Sequence, residues 1–173
     1  MDQLRFDGKS VLVTGSGRGL GQAYAEALAA RGAMVVVNDP GGSLEGDGAD
    51  EAPARSVAEG IRAAGGTAVS NFDSVATEQG ARSMVDQAIK AFGRIDLVIN
   101  NAGNFVAHLP IHQTTNDSYR RILDVHLFGT LNVIRAAWPY MLAQQSGRII
   151  NVTSHVGYLG ANNHTEYATA KAA

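Results

Sequence analysis

The stretch Ser10-Val11-Leu12-Val13-Thr14-Gly15-Ser16-Gly17-Arg18-Gly19-Leu20-Gly21 joins an apolar, β-branched run to a glycine loop, and an Ala-rich segment of helical period follows over residues 19–31. Strand, glycine turn and helix in that order make a phosphate cradle. Without Cβ atoms, the backbone N–H groups at the helix N-terminus can approach a pyrophosphate, and the helix macrodipole favours its negative charge. The loop does not match G-x-G-x-x-G, because Leu20 stands where the third glycine would be. It reads T-G-x-x-x-G-x-G, carried by Thr14, Gly15, Gly19 and Gly21.

Outward from this loop, short β-branched runs alternate with longer segments of helical period. Strands are expected at Ser10–Thr14, Met34–Asn38, Thr67–Asn71, 96–99 and 148–152. Helices are expected at 19–31, 53–64, Glu78–Phe92 and, as one long element, from about 117 to 144. That alternation predicts an α/β fold, a doubly wound parallel sheet of the Rossmann type, formed by residues 1–173 as a single domain. Residues 39–52, rich in Gly and acids, read as a surface loop, since the acids lack the spacing of a calcium loop. The segment 163–173 has helical composition but no stop signal, so the domain reads as cut short after its last helix.

Composition narrows the chemistry. With 14 Lys+Arg against 16 Asp+Glu, the net charge of -2 and scattered cations give no basic field, so nucleic acid is not expected as a partner. The absence of cysteine removes a disulfide framework, a Cys-based zinc site and a thiol nucleophile. The N-terminus has no apolar h-region, and no window approaches the roughly 20 apolar residues of a membrane span, so a soluble protein without a membrane partner is expected.

Asp39 ends the second strand 24 residues after Gly15, near the roughly 20-residue offset at which an acid meets an adenosine ribose. A carboxylate there accepts from both ribose hydroxyls and repels a 2′-phosphate; Arg18 offsets part of that repulsion. NAD is therefore favoured over NADP. Further along, Tyr167 and Lys171 stand at i, i+4 and share a helix face, and Ser154 lies just past a strand. A phenol is a poor base at neutral pH, and an ammonium about 4 Å away supplies on the order of 4 kcal/mol toward its charged form at an effective dielectric of 20.

Together these residues resemble the short-chain dehydrogenase/reductase family over essentially the whole chain. Thr14, Gly15, Gly19 and Gly21 match its glycine motif, with Arg18 and Leu20 between them. Asn100-Asn101-Ala102-Gly103 matches its fourth-strand motif, Asp73 falls where the family contacts adenine, followed by Ser74 and Val75, and Ser154, Tyr167 and Lys171 match its catalytic residues. The resemblance implies Tyr167 as general acid/base, Ser154 orienting the reacting oxygen, and Lys171 holding the nicotinamide ribose and activating the phenol. VVVNDPGG, LDVHLFGTLNVIRAAW and GRIINVTS are similar to the (3R)-hydroxyacyl-CoA dehydrogenase branch, found in multifunctional β-oxidation enzymes and bacterial relatives. That implies an NAD-dependent oxidoreductase interconverting a secondary alcohol and a ketone, with a 3-hydroxyacyl thioester as the favoured small-molecule substrate. A homo-oligomer, dimer or tetramer, and a cytoplasmic location, or a peroxisomal one in a eukaryote, go with it.

Two departures stand out. His126 occupies the long-helix position where most of the family has a relay Asn, and the family normally continues past the Y-x-x-x-K helix with two further strands and a substrate loop. A chain ending at Ala173 is therefore expected to leave the strand at 148–152 with an open edge and to bind dinucleotide weakly. The alternative reading is a non-catalytic dinucleotide-binding fragment or regulator. An extended-branch epimerase fits less well, because Arg18 replaces the second glycine of T-G-x-x-G-x-x-G. His108 and His112 read as exposed loop residues with no metal site implied; His155 and His164 flank the active-site segment. Leu123, Leu127, Leu131 and Ile134 form an apolar stripe, expected to face the core or a second subunit.

Overall fold

Alternation inside fully buried strands sorts the core into two layers. The computed structural model describes residues 4–43, 48–105 and 108–173. Its elements run β1 (Ser10–Thr14), α1 (Gly19–Ala29), β2 (Met34–Asn38), α2 (Ala52–Ala63), β3 (Thr67–Asn71), α3 (Glu78–Phe92) and β4 (Leu97–Asn100). Then come α4 (Asn116–Leu123), α5 (Thr130–Ala143), β5 (Arg148–Asn151), α6 (Val156–Leu159) and α7 (Thr165–Ala172). Val11, Val13, Val35 and Val37 pack with Ala25, Ala29, Val57 and Ile61 of α1 and α2. Leu12, Val36 and Val98, pointing the other way, pack with Met84, Val85, Val133 and Ala137 of α3 and α5. Strands covered on both faces read as unbroken apolar runs, which is why β1 and β2 are legible in sequence.

The five strands are all parallel in the order β3-β2-β1-β4-β5. From β1 the chain winds outward to β3 and then returns across β1 to β4. The switch opens a crevice at the C-terminal strand ends, where open α/β sheets bind ligands. Helix caps fix the entries to it. Thr77 accepts from the Gly80 N–H and Gly93 ends α3 in the left-handed region, while Thr115 and Ser118 close a capping box on α4.

Several boundaries differ from expectation. Helix α1 stops at Ala29 and turns back through residues 30–33. The long helix is three pieces, because a π-helical turn at Asp124–Gly129 separates α4 from α5. Such a turn resets the helical phase. The buried face accordingly carries Ile122, His126, Gly129, Val133 and Ala137, and the Leu123-Leu127-Leu131-Ile134 stripe is only half-buried, not core. A 3-10 turn at Ile111–Gln113 and the one-turn α6 are too short to show a period. In the loop at 39–52, residues 48–51 are exposed, as a surface loop requires, and 44–47 lie outside the described residues.

Among the described residues β5 pairs on one side only, and Ile150 on it is 43% exposed. Beside it runs an apolar groove of about 620 Å³ lined by Tyr24, Leu28, Leu97 and Ile99. No helix among the described residues is long and apolar enough to cross a membrane.

Candidate active site

Thr14 knots the glycine loop to the β4 end. Its buried hydroxyl accepts the N–H groups of Asn101 (3.1 Å) and Ala102 (3.0 Å). The Asn101 side chain returns the contact, donating to the carbonyls of Thr14 (3.0 Å) and Gly15 (2.9 Å). Two motifs more than eighty residues apart thus form one rigid floor. Gly21 is required beneath it, since a Cβ there would lie 2.2 Å from the Gly15 carbonyl oxygen and 2.6 Å from Asn101 Nδ2. Gly15 itself has φ +63 and would bring a Cβ within 2.8 Å of Ala102 Cα.

Above this floor, the N-terminus of α1 has no side-chain cap and no acid in its first turn, and it begins at Arg18 and Gly19 on the crevice lining. The crevice has a volume of about 310 Å³, and Gly15, Arg18, Gly19, Asp39, Ser74 and Val75 contribute to its lining. The Asn101-Ala102-Gly103 segment forms its far wall. The Asp39 carboxylate accepts from the N–H groups of Gly17 (2.9 Å) and Gly41 (2.8 Å), which pins it at the loop mouth. Arg18 reaches over the same mouth to the Gly42 carbonyl (3.4 Å).

Not every expected residue lines that crevice. Leu20 is 65% exposed, and Gly21 is buried under the loop. Asp73 does not line it; its carboxylate accepts from Asn71 and its carbonyl from Asn38, a buried Asn pair that places the neighbouring Ser74 and Val75. Asn100 bonds Asn151 at the end of β5, at a second cavity behind Lys171. Asn132 escaped sequence reasoning: from α5 it donates to the Val75 carbonyl (3.1 Å). A polar residue on the buried side of an otherwise apolar helix was its only signal.

The second cluster lies on α7 and on the segment after β5. Lys171 donates to the Val152 carbonyl (2.9 Å), with its ammonium 5.8 Å from the centre of the Tyr167 ring. Burial lowers the Lys171 pKa from its ordinary value. Thr153 ties the same helix end by donating to the Lys171 carbonyl (2.7 Å). Ser154 Oγ accepts from the Val156 N–H (3.3 Å), leaving its own proton to donate elsewhere. The Tyr167 ring packs on Phe105 at 5.0 Å and edge-on to His126 at 5.7 Å.

His126 sits in the π-helical turn, buried, with Nε2 2.9 Å from the Asn104 carbonyl. A carbonyl only accepts, so Nε2 carries the proton. Burial pushes its pKa down to about 4, with Lys171 adding to the effect and the Asn104 bond opposing it. The ring is therefore neutral at neutral pH. His108 is exposed as expected, yet its ring meets His164 at 4.1 Å and Phe105 at 4.9 Å; His112 and His155 are exposed.

The neutral His126 makes a pH prediction. The unfolded chain takes up a proton near pH 6.5 and the folded chain only near pH 4, so this group's contribution is complete above 6.5 and is lost as pH falls toward 4. The loss amounts to about 3 kcal/mol. Urea unfolding at pH 7 and near pH 4 should show a smaller drop in His126→Gln than in the unchanged protein. Equal drops would refute the assignment.

A model of the short chain dehydrogenase family matches residues 9–173. The chain is 45% identical over 168 residues to the peroxisomal hydratase-dehydrogenase-epimerase of Saccharomyces cerevisiae, covering 97% of this chain and 18% of that protein. It is also 45% identical over 168 residues to the peroxisomal multifunctional enzyme type 2 of Mus musculus, covering 97% and 22%. Among solved structures, NAD+-bound xylitol dehydrogenase superposes with a TM-score of 0.89 at 31% identity, covering 98% of this chain and 62% of that one. The chain spans less than a quarter of the length of these two curated relatives. It belongs to the short-chain dehydrogenase family, a class of oxidoreductases.

Proposed function

We propose that this chain is the dinucleotide-binding and catalytic portion of an NAD-dependent oxidoreductase that interconverts a secondary alcohol and a ketone, with a 3-hydroxyacyl thioester as the favoured substrate. The observation that carries this reading is the placement of two independent clusters, the uncapped α1 N-terminus over Gly15 and the Tyr167-Lys171 face of α7, at the same end of one parallel sheet. The substrate preference rests on similarity to multifunctional peroxisomal enzymes and is the finer part of the proposal.

Gly15, Gly19 and the first N–H groups of α1 would hold the pyrophosphate, Asp39 the adenosine ribose, and Ser74, Val75 and the Asn101-Ala102-Gly103 wall the rest of the dinucleotide. When bound, nicotinamide dinucleotide supplies the hydride chemistry. The Tyr167 hydroxyl takes the proton from the substrate alcohol, or returns it to the ketone oxygen. Ser154 Oγ donates to that same oxygen, and the Lys171 ammonium opposes the negative charge that develops on the phenol. Phe105 and His126 both pack against the Tyr167 ring.

Asp39 tests the cofactor assignment. Removing its charge in Asp39→Ala should reduce the preference for NAD over NADP by about tenfold, ~1.4 kcal/mol, as read by calorimetric titration of both. Equal or tighter NADP binding by the unchanged protein would sink the NAD assignment. We also place a homo-oligomer contact on the half-buried Leu123-Leu127-Leu131-Ile134 face, which continues into exposed Trp138 and Leu142. A monomer in sedimentation would reject that contact. The reading suits a soluble compartment, cytoplasm or, by analogy with the relatives, peroxisome.

A further inference from the structure

Glu166 immediately precedes Tyr167 and is 1% exposed, a degree of burial that carboxylates rarely reach without dedicated partners. Its partners come from two helices. Oε1 accepts from Ser118 Oγ of α4 at 3.0 Å, across 48 residues of sequence, and Oε2 accepts from Thr165 Oγ1 at 3.3 Å. Ser118 is itself fixed, because its N–H donates to Thr115 Oγ1 (3.1 Å) and its Oγ accepts from the Thr115 N–H (3.2 Å) in the capping box of α4. The single Ser118 hydroxyl proton lies between two acceptors, the Thr115 carbonyl (2.8 Å) and Glu166. A capped helix start is thus wired to the residue before the phenol.

An apolar side chain would fill this space with no directional preference, whereas a hydrogen-bonded carboxyl fixes rotation about the helix axis. The opposite side of α7 is held by Lys171 on Val152 and Thr153 on Lys171. Between these two anchors the remaining freedom of α7 is a roll that would carry the Tyr167 hydroxyl away from the substrate oxygen.

We propose that Glu166 is a positioning residue: through Ser118 it sets the roll of α7 and so the reach of the Tyr167 hydroxyl. This inference rests on Tyr167 being the proton-transfer group. A displacement of about 1 Å at such a site costs on the order of a hundredfold in rate, and a partial roll less.

The test measures kcat, KM for a 3-hydroxyacyl-CoA and the dissociation constant for NAD in the full-length protein carrying Glu166→Ala, Glu166→Gln, Ser118→Ala or the Glu166→Ala/Ser118→Ala pair. In Glu166→Ala, kcat should fall about tenfold with KM and NAD affinity within about twofold. Glu166→Gln, which keeps an acceptor oxygen in place, should recover most of that loss. Ser118→Ala should lower kcat in the same direction, and the double variant should fall no further than Glu166→Ala alone.

Unchanged kcat in Glu166→Ala would overturn the proposal. So would NAD affinity falling in parallel with kcat, the mark of general loosening. If Glu166→Ala fails to fold, Ser118→Ala decides, because at a half-exposed position it removes the donor to Glu166 and otherwise only the exposed capping-box bonds with Thr115. Tyr167→Phe is assayed alongside. Activity surviving there, or no turnover by the unchanged protein, overturns the functional reading itself, whereas a dead Tyr167→Phe beside a fully active Glu166→Ala overturns the positioning role alone.

Discussion

Tyr167→Phe should lower turnover by about three orders of magnitude while NAD binding persists. The substitution deletes one oxygen and keeps the ring, so the packing on Phe105 at 5.0 Å and the edge contact with His126 at 5.7 Å survive. What disappears is the hydroxyl proposed to exchange a proton with the reacting oxygen. Ser154 does not replace it, since a serine hydroxyl acts as a proton-transfer group only beside a base that takes and returns its proton, and among the described residues its Oγ is bonded by the Val156 N–H alone. Following NAD reduction in the full-length protein, with calorimetry for NAD affinity, separates the two effects. Retained turnover would remove Tyr167 from its assigned role.

Lys171→Met should damage both binding and chemistry. The side chain is partly buried, and a methionine of similar length fills the same space, so packing changes little. The Val152 carbonyl loses its 2.9 Å donor, a loss of about 1 kcal/mol. The larger effects come from charge. Without the ammonium, the cation proposed to oppose negative charge on the phenol is gone, and kcat should fall by about a hundredfold. NAD affinity should fall about tenfold, because the same ammonium would hold the nicotinamide ribose. A variant with reduced kcat but unchanged NAD affinity would show that Lys171 serves the phenol alone.

The legible parts of this protein are the local ones. β1, β2, β3 and α3 appear at their expected bounds because each is decided by its own residues: valine-rich buried runs in β1 and β2, a short stretch around Thr67 and Val69 in β3, and in α3 an amphipathic face with Thr77 and Gly93 at its ends. The glycine loop and the Tyr167-Lys171 pair were visible for the same reason, since a turn and one helical step each depend on a few adjacent positions. The long helix was misread because a period of 3.6 was extended through Asp124–Gly129, and nothing local marks the π-helical turn. One consequence follows directly: of the two faces expected for the leucine stripe, core or second subunit, the core is excluded, because the true buried face is shifted around the helix.

Contacts between distant elements were not legible at all. Thr14 with Asn101, Asn132 with Val75 and Ser118 with Glu166 each join residues at least 48 apart. A polar side chain in an apolar context signals that a partner exists without saying where. Phe105 was missed for a related reason, since one aromatic in a loop has no pattern until the tyrosine it supports is placed beside it. Asp39 shows the converse. Its offset from Gly15 located it at the crevice, but its two backbone N–H bonds, which fix where its oxygens point, came only from the fold.

A crystal structure of the full-length protein with NAD bound tests the proposed function most directly. The pyrophosphate should lie over Gly15 and the α1 N-terminus, the adenosine ribose on Asp39, and the nicotinamide ring beside Tyr167 with its ribose on Lys171. NAD bound elsewhere on the molecule, or seated in the crevice with its nicotinamide directed away from Tyr167, would contradict it.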